Sequence, residues 1–422
     1  MQEEFLHHIW QFQRLDICSL RTTQGDELQI VKPGSYLKSS GPDFFNAQLI
    51  IGNQKWAGNI EVHTKSSDWY LHNHQEDDNY NNVILHVVWE NDVDVFRKDN
   101  SIIPVLELSQ FISKELLFKY SKLKQQKSWI SCENDIQNIS EFVLKNWQER
   151  LYFERLEKKS EGIQQMLEFA KNDWEAVFFC FLAKNFGLNI NGDVFFQMAK
   201  SIPFEIIRKE GFNSENLEAL FYGSLNMLTS NHEDTYCKDL YFHWEYIKQK
   251  YNLEIAIHRQ VEFFKLRPDN FPTIRLAQLA RLYSLYQNLF SKVIEASTID
   301  ELYGLFAVSV NNYWEYHYQF DKLSPKKKKT LSKSFIDLII INTIVPFKFL
   351  YDRTLGKDTF EDCIEIIEEI KPEKNVVIEK FKAVGVKSEN AFQTQSLLHL
   401  KKVYCNLGKC LNCSIGIELL KN

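Results

Sequence analysis

No stretch at the start of this 422-residue sequence has the length and flanks of a signal peptide, because Met-Gln-Glu-Glu is acidic where a secretory leader is basic. Secretion is not expected. The most apolar segment, Phe335 to Tyr351, is interrupted by Asp337, Asn342, Pro346 and Lys348 and falls short of a membrane span. It reads as buried helix, with no membrane partner. Eight cysteines, five of them scattered, do not make the dense framework of a disulfide-stapled secreted domain, so a reducing cytoplasm is the expected compartment. There is neither a phosphate-binding glycine-rich loop nor a Gly-x-Ser-x-Gly elbow. A net charge of −6 supplies no overall basic field to draw in nucleic acid.

Hydrophobic residues make up 44% and charged residues 25%, the balance of a globular chain, and aromatics reach 14%, enough for large rings to fill helix interfaces. The length exceeds one ordinary core. Charge is uneven: residues 1–110 hold 8 basic against 16 acidic side chains, and the remainder 42 against 40. An acidic front segment suits a site for divalent cations better than one that grips phosphates directly.

The pattern predicts a helix over 3–15, with Phe5, Ile9 and Phe12 on one stripe, then strands near 27–31, 44–51 and 55–63, the last two joined at Gly52-Asn53. A short helical segment around Glu76 to Tyr80 precedes Val83 to Trp89, an apolar run of the kind that forms a central strand. Val93 to Arg97 and Ile102 to Leu108 suggest a further hairpin. Helical periodicity takes over from Ser109. The expected fold is therefore an α/β domain of mixed sheet with flanking helices over 1–110, then a large, mostly helical region over 111–422, subdivided near 250.

Strand alternation puts Trp56, Gly58, Ile60 and Val62 on one face of the 55–63 run and Asn59, Glu61 and His63 on the other. Asp43, at the start of the neighbouring strand, can converge with Glu61 on one edge of the hairpin. Two carboxylates hold a hard cation such as Mg²⁺ or Mn²⁺, and a Lys or His beside it can orient a nucleophile. The bland reading is that Asp43 caps a strand after Pro42 while Glu61 and His63 form the solvated face of an edge strand.

Ser40-Gly-Pro-Asp43 followed by Glu61-Val-His63-Thr-Lys65 resembles the PD-(D/E)xK phosphodiesterase superfamily, whose restriction-endonuclease-like core runs helix, three strands, helix, strand. The resemblance implies metal-dependent hydrolysis of DNA or RNA, with Asp43 and Glu61 as metal ligands. His63 stands where the family usually has Lys; either Lys65, one pleat further along, takes that role, or His63 serves as ligand or base. In the family a Glu on the first helix often completes the site, here Glu3 or Glu4. The alternative is a non-catalytic nucleic-acid- or protein-binding scaffold that keeps the fold. Nearly the whole chain is also similar to the uncharacterised bacterial family called domain of unknown function 2851, through Gly41-Pro-Asp-Phe-Phe-Asn-Ala47, Glu61-Val-His63 with Ser66-Ser-Asp-Trp69, Arg267-Pro-Asp-Asn-Phe-Pro272 and the C-terminal cysteines.

Three further groups stand out. His72, His74, Asp77, Asp78 and His86 would suit a transition metal or support the main cation, although loops gather such residues by being polar, and His86 in an apolar run reads as a satisfied core residue. Cys405, Cys410 and Cys413 have the spacing of ligands to an iron–sulfur cluster or Zn²⁺, with Cys18 or Cys132 as fourth ligand; the bland alternative is three reduced thiols. Arg259, Arg267 and Arg275 are candidates for phosphate contacts, or for pairing with acids on packed helices, and Lys326 to Lys329 read as a solvated turn.

Overall fold

The computed structural model describes residues 1–37, 41–125, 128–254, 260–357 and 360–421, so Ser40 and Arg259 lie outside the described residues. The chain forms two compact units. The first comprises Met1–Trp147, Ala383–Val386 and Leu400–Asn422, so it continues past position 110 and takes in the C-terminal end.

Helix α1, Glu3–Gln11, ends four residues earlier than its apolar pattern suggests, with Gln13 in a left-handed conformation. It buries Phe5, Leu6, Ile9 and Trp10 against one face of a six-stranded mixed sheet. The strands are β1 (Leu28–Lys32), β2 (Ser35–Tyr36), β3 (Phe44–Ile51), β4 (Gln54–Lys65), β5 (Val83–Glu90) and β6 (Val105–Glu107). Their order is β1-β3-β4-β5-β6, with β2 also on β3; pairings within β1 to β4 are antiparallel, and β5 and β6 run parallel to β4. The expected hairpin over 93–108 is thus corrected. What remains of it is the bridge Phe96↔Ile102 with the Arg97 N–H to Ser101 C=O and Ile103 N–H to Val95 C=O bonds, because Val105 and Leu106 are buried by pairing with His86 and Val87 at the sheet edge.

The sheet has two apolar faces. Ile60, Val62, Leu85 and Val87 pack toward α1, while Val83 and Val88 pack with Trp69 and Tyr80 from the β4–β5 crossover. That crossover contains α2, Asp68–Leu71, and two 3₁₀ turns, His74–Glu76 and Asp78–Tyr80. Helix α3, Lys114–Gln125, returns to the first layer, where Tyr120 stacks on Phe5 with ring centroids 3.9 Å apart. This packing ties residues beyond 110 to the first unit.

The second unit, Gln148–Lys382 with Lys387–His399, is helical apart from a ribbon of His317–Gln319 and Lys322–Leu323, and runs through position 250 as one body. The stretch Lys333–Thr354 is long and apolar enough to cross a membrane by length and composition, yet 72% of its most apolar window is buried within the protein. Its polar interruptions are used internally. Lys348 donates to the carbonyls of Val293, Ile294 and Ala296 at 3.3, 2.8 and 2.8 Å, satisfying the end of the helix Leu289–Glu295, and Asn342 Oδ1 accepts from Lys159 at 2.8 Å.

Candidate metal centre

Two backbone devices bring Asp43 to Glu61. Gly41 has φ +107°, a left-handed conformation that turns the chain ahead of Pro42, and the pairing Phe44↔Ile60 then sets Asp43 beside Glu61 across the β3–β4 ladder. The two carboxylates are laced to the ladder by crossed bonds. The Asp43 N–H donates to Glu61 Oε2 at 3.2 Å, and the Val62 N–H donates to Asp43 Oδ2 at 3.0 Å. Each acid therefore fixes the other's strand.

β4 is a central strand, and Glu61 and His63 are only 5% and 1% exposed, which removes the solvated-edge reading of this face. His63 Nε2 lies 3.4 Å from Glu61 Oε1. Its other nitrogen, Nδ1, is 2.9 Å from Nε2 of His86, the residue paired with Glu61 in the parallel ladder. His86 thus orients His63, and its own Nδ1 is buried without a hydrogen-bond partner. The β4–β5 crossover closes the pocket: His72 Nδ1 is 3.1 Å from His63 Nε2, and His74 Nε2 is 3.3 Å from Glu61 Oε1. His74 stacks on Tyr80 at 3.8 Å, which holds its ring in place.

On the other side of Asp43, His7 of α1 places Nε2 3.1 Å from Asp43 Oδ2, out of line for a hydrogen bond, while its Nδ1 meets the Tyr36 hydroxyl at 3.4 Å. Glu3 precedes His7 by one helical turn and adds charge to the same region, where burial raises its pKa. His7 escaped the sequence reading because it lies off the apolar stripe of α1; its four-residue spacing from Glu3 was the available signal.

The electrostatics show a site short of positive charge. Burial, and then the charge of Asp43, push the Glu61 carboxyl up to about 9. Burial, and then the neighbouring imidazoles, hold His63 down to about 2, and burial holds His86 down to about 3, so both rings are neutral. For His7, burial opposes the proton but the Asp43 contact outweighs it and raises the pKa.

Lys65 does not join this group. It is half-exposed at the end of β4, with Nζ 3.6 Å from Glu90, and its N–H donates to Asp68. Asp77 caps the second 3₁₀ turn through the Asn79 N–H, and Asp78 pairs with Lys98 at the surface. Arg275 is corrected as a phosphate-binding candidate. It is buried against Phe335, at 3.5 Å from the ring, and donates to Gln278 and Asn270, so its charge is spent inside the second unit. Arg267 is exposed. Lys327 pairs with Asp269, and Lys329 is buried and bonded to the carbonyls of Trp314 and Glu315, so the lysine run is not wholly a solvated turn.

At the C-terminal end, Cys405, Cys410 and Cys413 line one small cavity of about 20 Å³ together with Cys132. Cys18 is exposed and lines a different groove. Lys401 donates to the Trp129 carbonyl at 2.6 Å and lies over the Trp129 ring, fastening the tail beside the loop that carries Cys132. Burial, and then the neighbouring thiols, push Cys405 up to about 12; burial pushes Cys413 up to about 11.

The family described as Protein of unknown function (DUF2851) matches residues 3–376, a span that holds every residue of the Asp43–Glu61–His63 centre. The chain belongs to this family. No curated protein and no solved structure matches it.

Proposed function

We propose that this DUF2851 protein hydrolyses phosphodiester bonds of DNA or RNA with a divalent cation, Mg²⁺ or Mn²⁺, held by Asp43 and Glu61. The observation that carries this reading is the interlock of the two acids: two carboxylates on adjacent strands, one deeply buried, each accept a backbone N–H from the other's strand, and among the described residues their ion-pair partners are histidines alone. Such a pair repels itself unless one acid keeps its proton or a cation neutralises both. The order helix, antiparallel β1, β3 and β4, short helices, then β5 parallel to β4 agrees with a restriction-endonuclease-like core and supports the same reading.

The cation would supply Lewis-acid polarisation of the phosphoryl group and would acidify water. Asp43 and Glu61 bind it and are themselves aligned by the β3–β4 ladder. His7, beside Asp43 at the edge of the site and with its pKa raised by that contact, is the group placed to offset charge where the resembling superfamily has a lysine. His63, neutral and oriented by His86, offers Nε2 toward Glu61 as ligand or base. Among the described residues, exposed Arg267 is the remaining candidate phosphate contact of the second unit.

The test is incubation with labelled single- and double-stranded DNA and RNA in Mg²⁺ and in Mn²⁺. Wild type is expected to cleave, Asp43→Ala to lose about 100-fold or more, and Lys65→Ala to stay close to wild type. No cleavage under any condition, or cleavage untouched by Asp43→Ala, would favour the non-catalytic scaffold.

We also propose that Cys132, Cys405, Cys410 and Cys413 hold Zn²⁺ or an iron–sulfur cluster of structural role. Four cysteines from two distant segments line one small cavity, and a cation there would turn their thiols into thiolate ligands.

A further inference from the structure

The contacts among the pocket's nitrogens and oxygens are of an unusual kind. His63 Nε2 to Glu61 Oε1, His74 Nε2 to Glu61 Oε1 and His63 Nε2 to His72 Nδ1 measure 3.4, 3.3 and 3.1 Å. The ligand atoms of all three histidines lie within 4.8 Å of one another. His74 is nine-tenths buried, yet its Nε2 forms no hydrogen bond even though a carboxylate oxygen stands beside it. His63 Nε2 and His72 Nδ1 are aligned as a hydrogen bond, whereas the two contacts to Glu61 Oε1 are not, so the imidazole nitrogens of His63 and His74 gather at one carboxylate oxygen without bonding to it. Four ligands at zinc-like bond lengths around one ion are separated by about 3.3 Å along each edge of a tetrahedron. Three of the six separations fall at that edge, Glu61 Oε1 to His63 and to His74 and His63 to His72.

We infer that His63, His72, His74 and Glu61 form a site for a borderline transition-metal ion of the Zn²⁺, Co²⁺, Fe²⁺ or Mn²⁺ class, beside the Asp43 position and sharing Glu61 with it. This deepens the functional reading above and rests on it only for the role of Asp43. The donor set is what distinguishes the ion: Mg²⁺ takes oxygen ligands and retains water, whereas imidazole nitrogens select later metals. Support around the ligands follows the same logic. With His63 Nδ1 donating its proton to His86 Nε2, His63 Nε2 carries the lone pair that faces His72, and His86 does what partners of metal-bound histidines do. Tyr80 and Trp69 fix the His74 ring, with His74 stacked on the first and edge-on to the second. His72 is exposed and forms the rim, so an ion can enter from solvent without unfolding the crossover.

Glu61 then has two jobs. Oε1 faces the histidines, while Oε2 accepts from the Asp43 N–H. A carboxylate in that position can join two cations, one on the histidine side and one on the Asp43 side, which is the arrangement that clamps both oxygens of an in-line displacement.

The experiment uses full-length protein stripped with chelator and titrated with Co²⁺, then competed with Zn²⁺. Visible bands of low-coordinate Co²⁺ without sulfur-to-cobalt charge transfer are expected from this site; binding at the cysteines would show that charge transfer and is read separately. His72→Ala, at an exposed position, is expected to weaken Co²⁺ binding by about 100-fold, and His74→Ala at least as much. Lys65→Ala should leave it unchanged. Asp43→Ala should retain the Co²⁺ spectrum while losing cleavage. A spectrum indifferent to His72→Ala and His74→Ala, or no sulfur-free Co²⁺ site at all, would overturn the inference; Mg²⁺-dependent cleavage persisting in that case would leave the proposed function standing. Co²⁺ held by the histidines with no cleavage of any substrate would do the reverse.

Discussion

Glu61 is a carboxylate that the fold buries next to another carboxylate, and the cost of that placement depends on pH. Its folded-state pKa of about 9 lies above the ordinary value of 4.5, so the folded protein prefers the neutral acid. The stability tied to that proton is complete below pH 4.5 and is lost as pH rises toward 9. Metal-free protein should therefore show a falling unfolding midpoint between pH 5 and 9, and Glu61→Gln should flatten that slope. Adding the cation to wild type should flatten it as well, since charge neutralisation replaces protonation. Calorimetry across this range, with and without metal, checks the claim; an identical slope in Glu61→Gln would show that other groups set it. Lys348 is the opposite case, a buried charge whose three carbonyl partners make it worth keeping. Lys348→Met leaves the end of helix Leu289–Glu295 unsatisfied and should cost about 2–4 kcal/mol by denaturant unfolding. A loss under 0.5 kcal/mol would mean that water takes over the three carbonyls.

At the scale of elements, β4 does the positioning, and Gly58 lets it do so. A Cβ at Gly58 would stand 2.5 Å from the Asn82 carbonyl oxygen and 2.5 Å from Ile84 Cγ2, where β5 enters the sheet. Gly58→Ala should push β4 and β5 apart, costing about 1–3 kcal/mol and disturbing the Glu61↔His86 pairing. Denaturant unfolding together with Co²⁺ titration would reveal both effects, and a variant with unchanged stability would show that β5 yields freely. Much of this strand was legible beforehand, because alternation alone places Glu61 and His63 on one face opposite Ile60 and Val62. The crossover was not. α2 is four residues long, too short for a periodicity to register, and the convergence of His72 and His74 on His63 depends on how the crossover folds back over the sheet. β6 was misread for a related reason. Its apolar residues fit a hairpin or a parallel edge equally well, and only the exposed flank of β5 decides between them.

Across the molecule, the C-terminal end returns to the first unit after the whole helical unit has been built, and Cys132 awaits it there. Sequence spacing identified Cys405, Cys410 and Cys413 but left Cys18 and Cys132 equivalent, since spacing carries no information about a contact some 270 residues away along the chain. The fold separates them by placing Cys18 in another groove. The tail residues Tyr404 and Leu411 pack against Trp147 and the sheet core, so the tail has apolar anchors in addition to its thiols. Metal at the four cysteines should add several kcal/mol to those anchors. Chelation, or Cys132→Ser or Cys410→Ser, should lower the first unit's unfolding midpoint by about 5 °C or more, with Cys18→Ser as the silent control. Thiol labelling should follow the same order: Cys18 reacts in the native protein, and the four clustered thiols react only after chelation. Metal content and visible absorption of anaerobically purified protein separate zinc from an iron–sulfur cluster, and clustered thiols that label equally fast before and after chelation would refute the site.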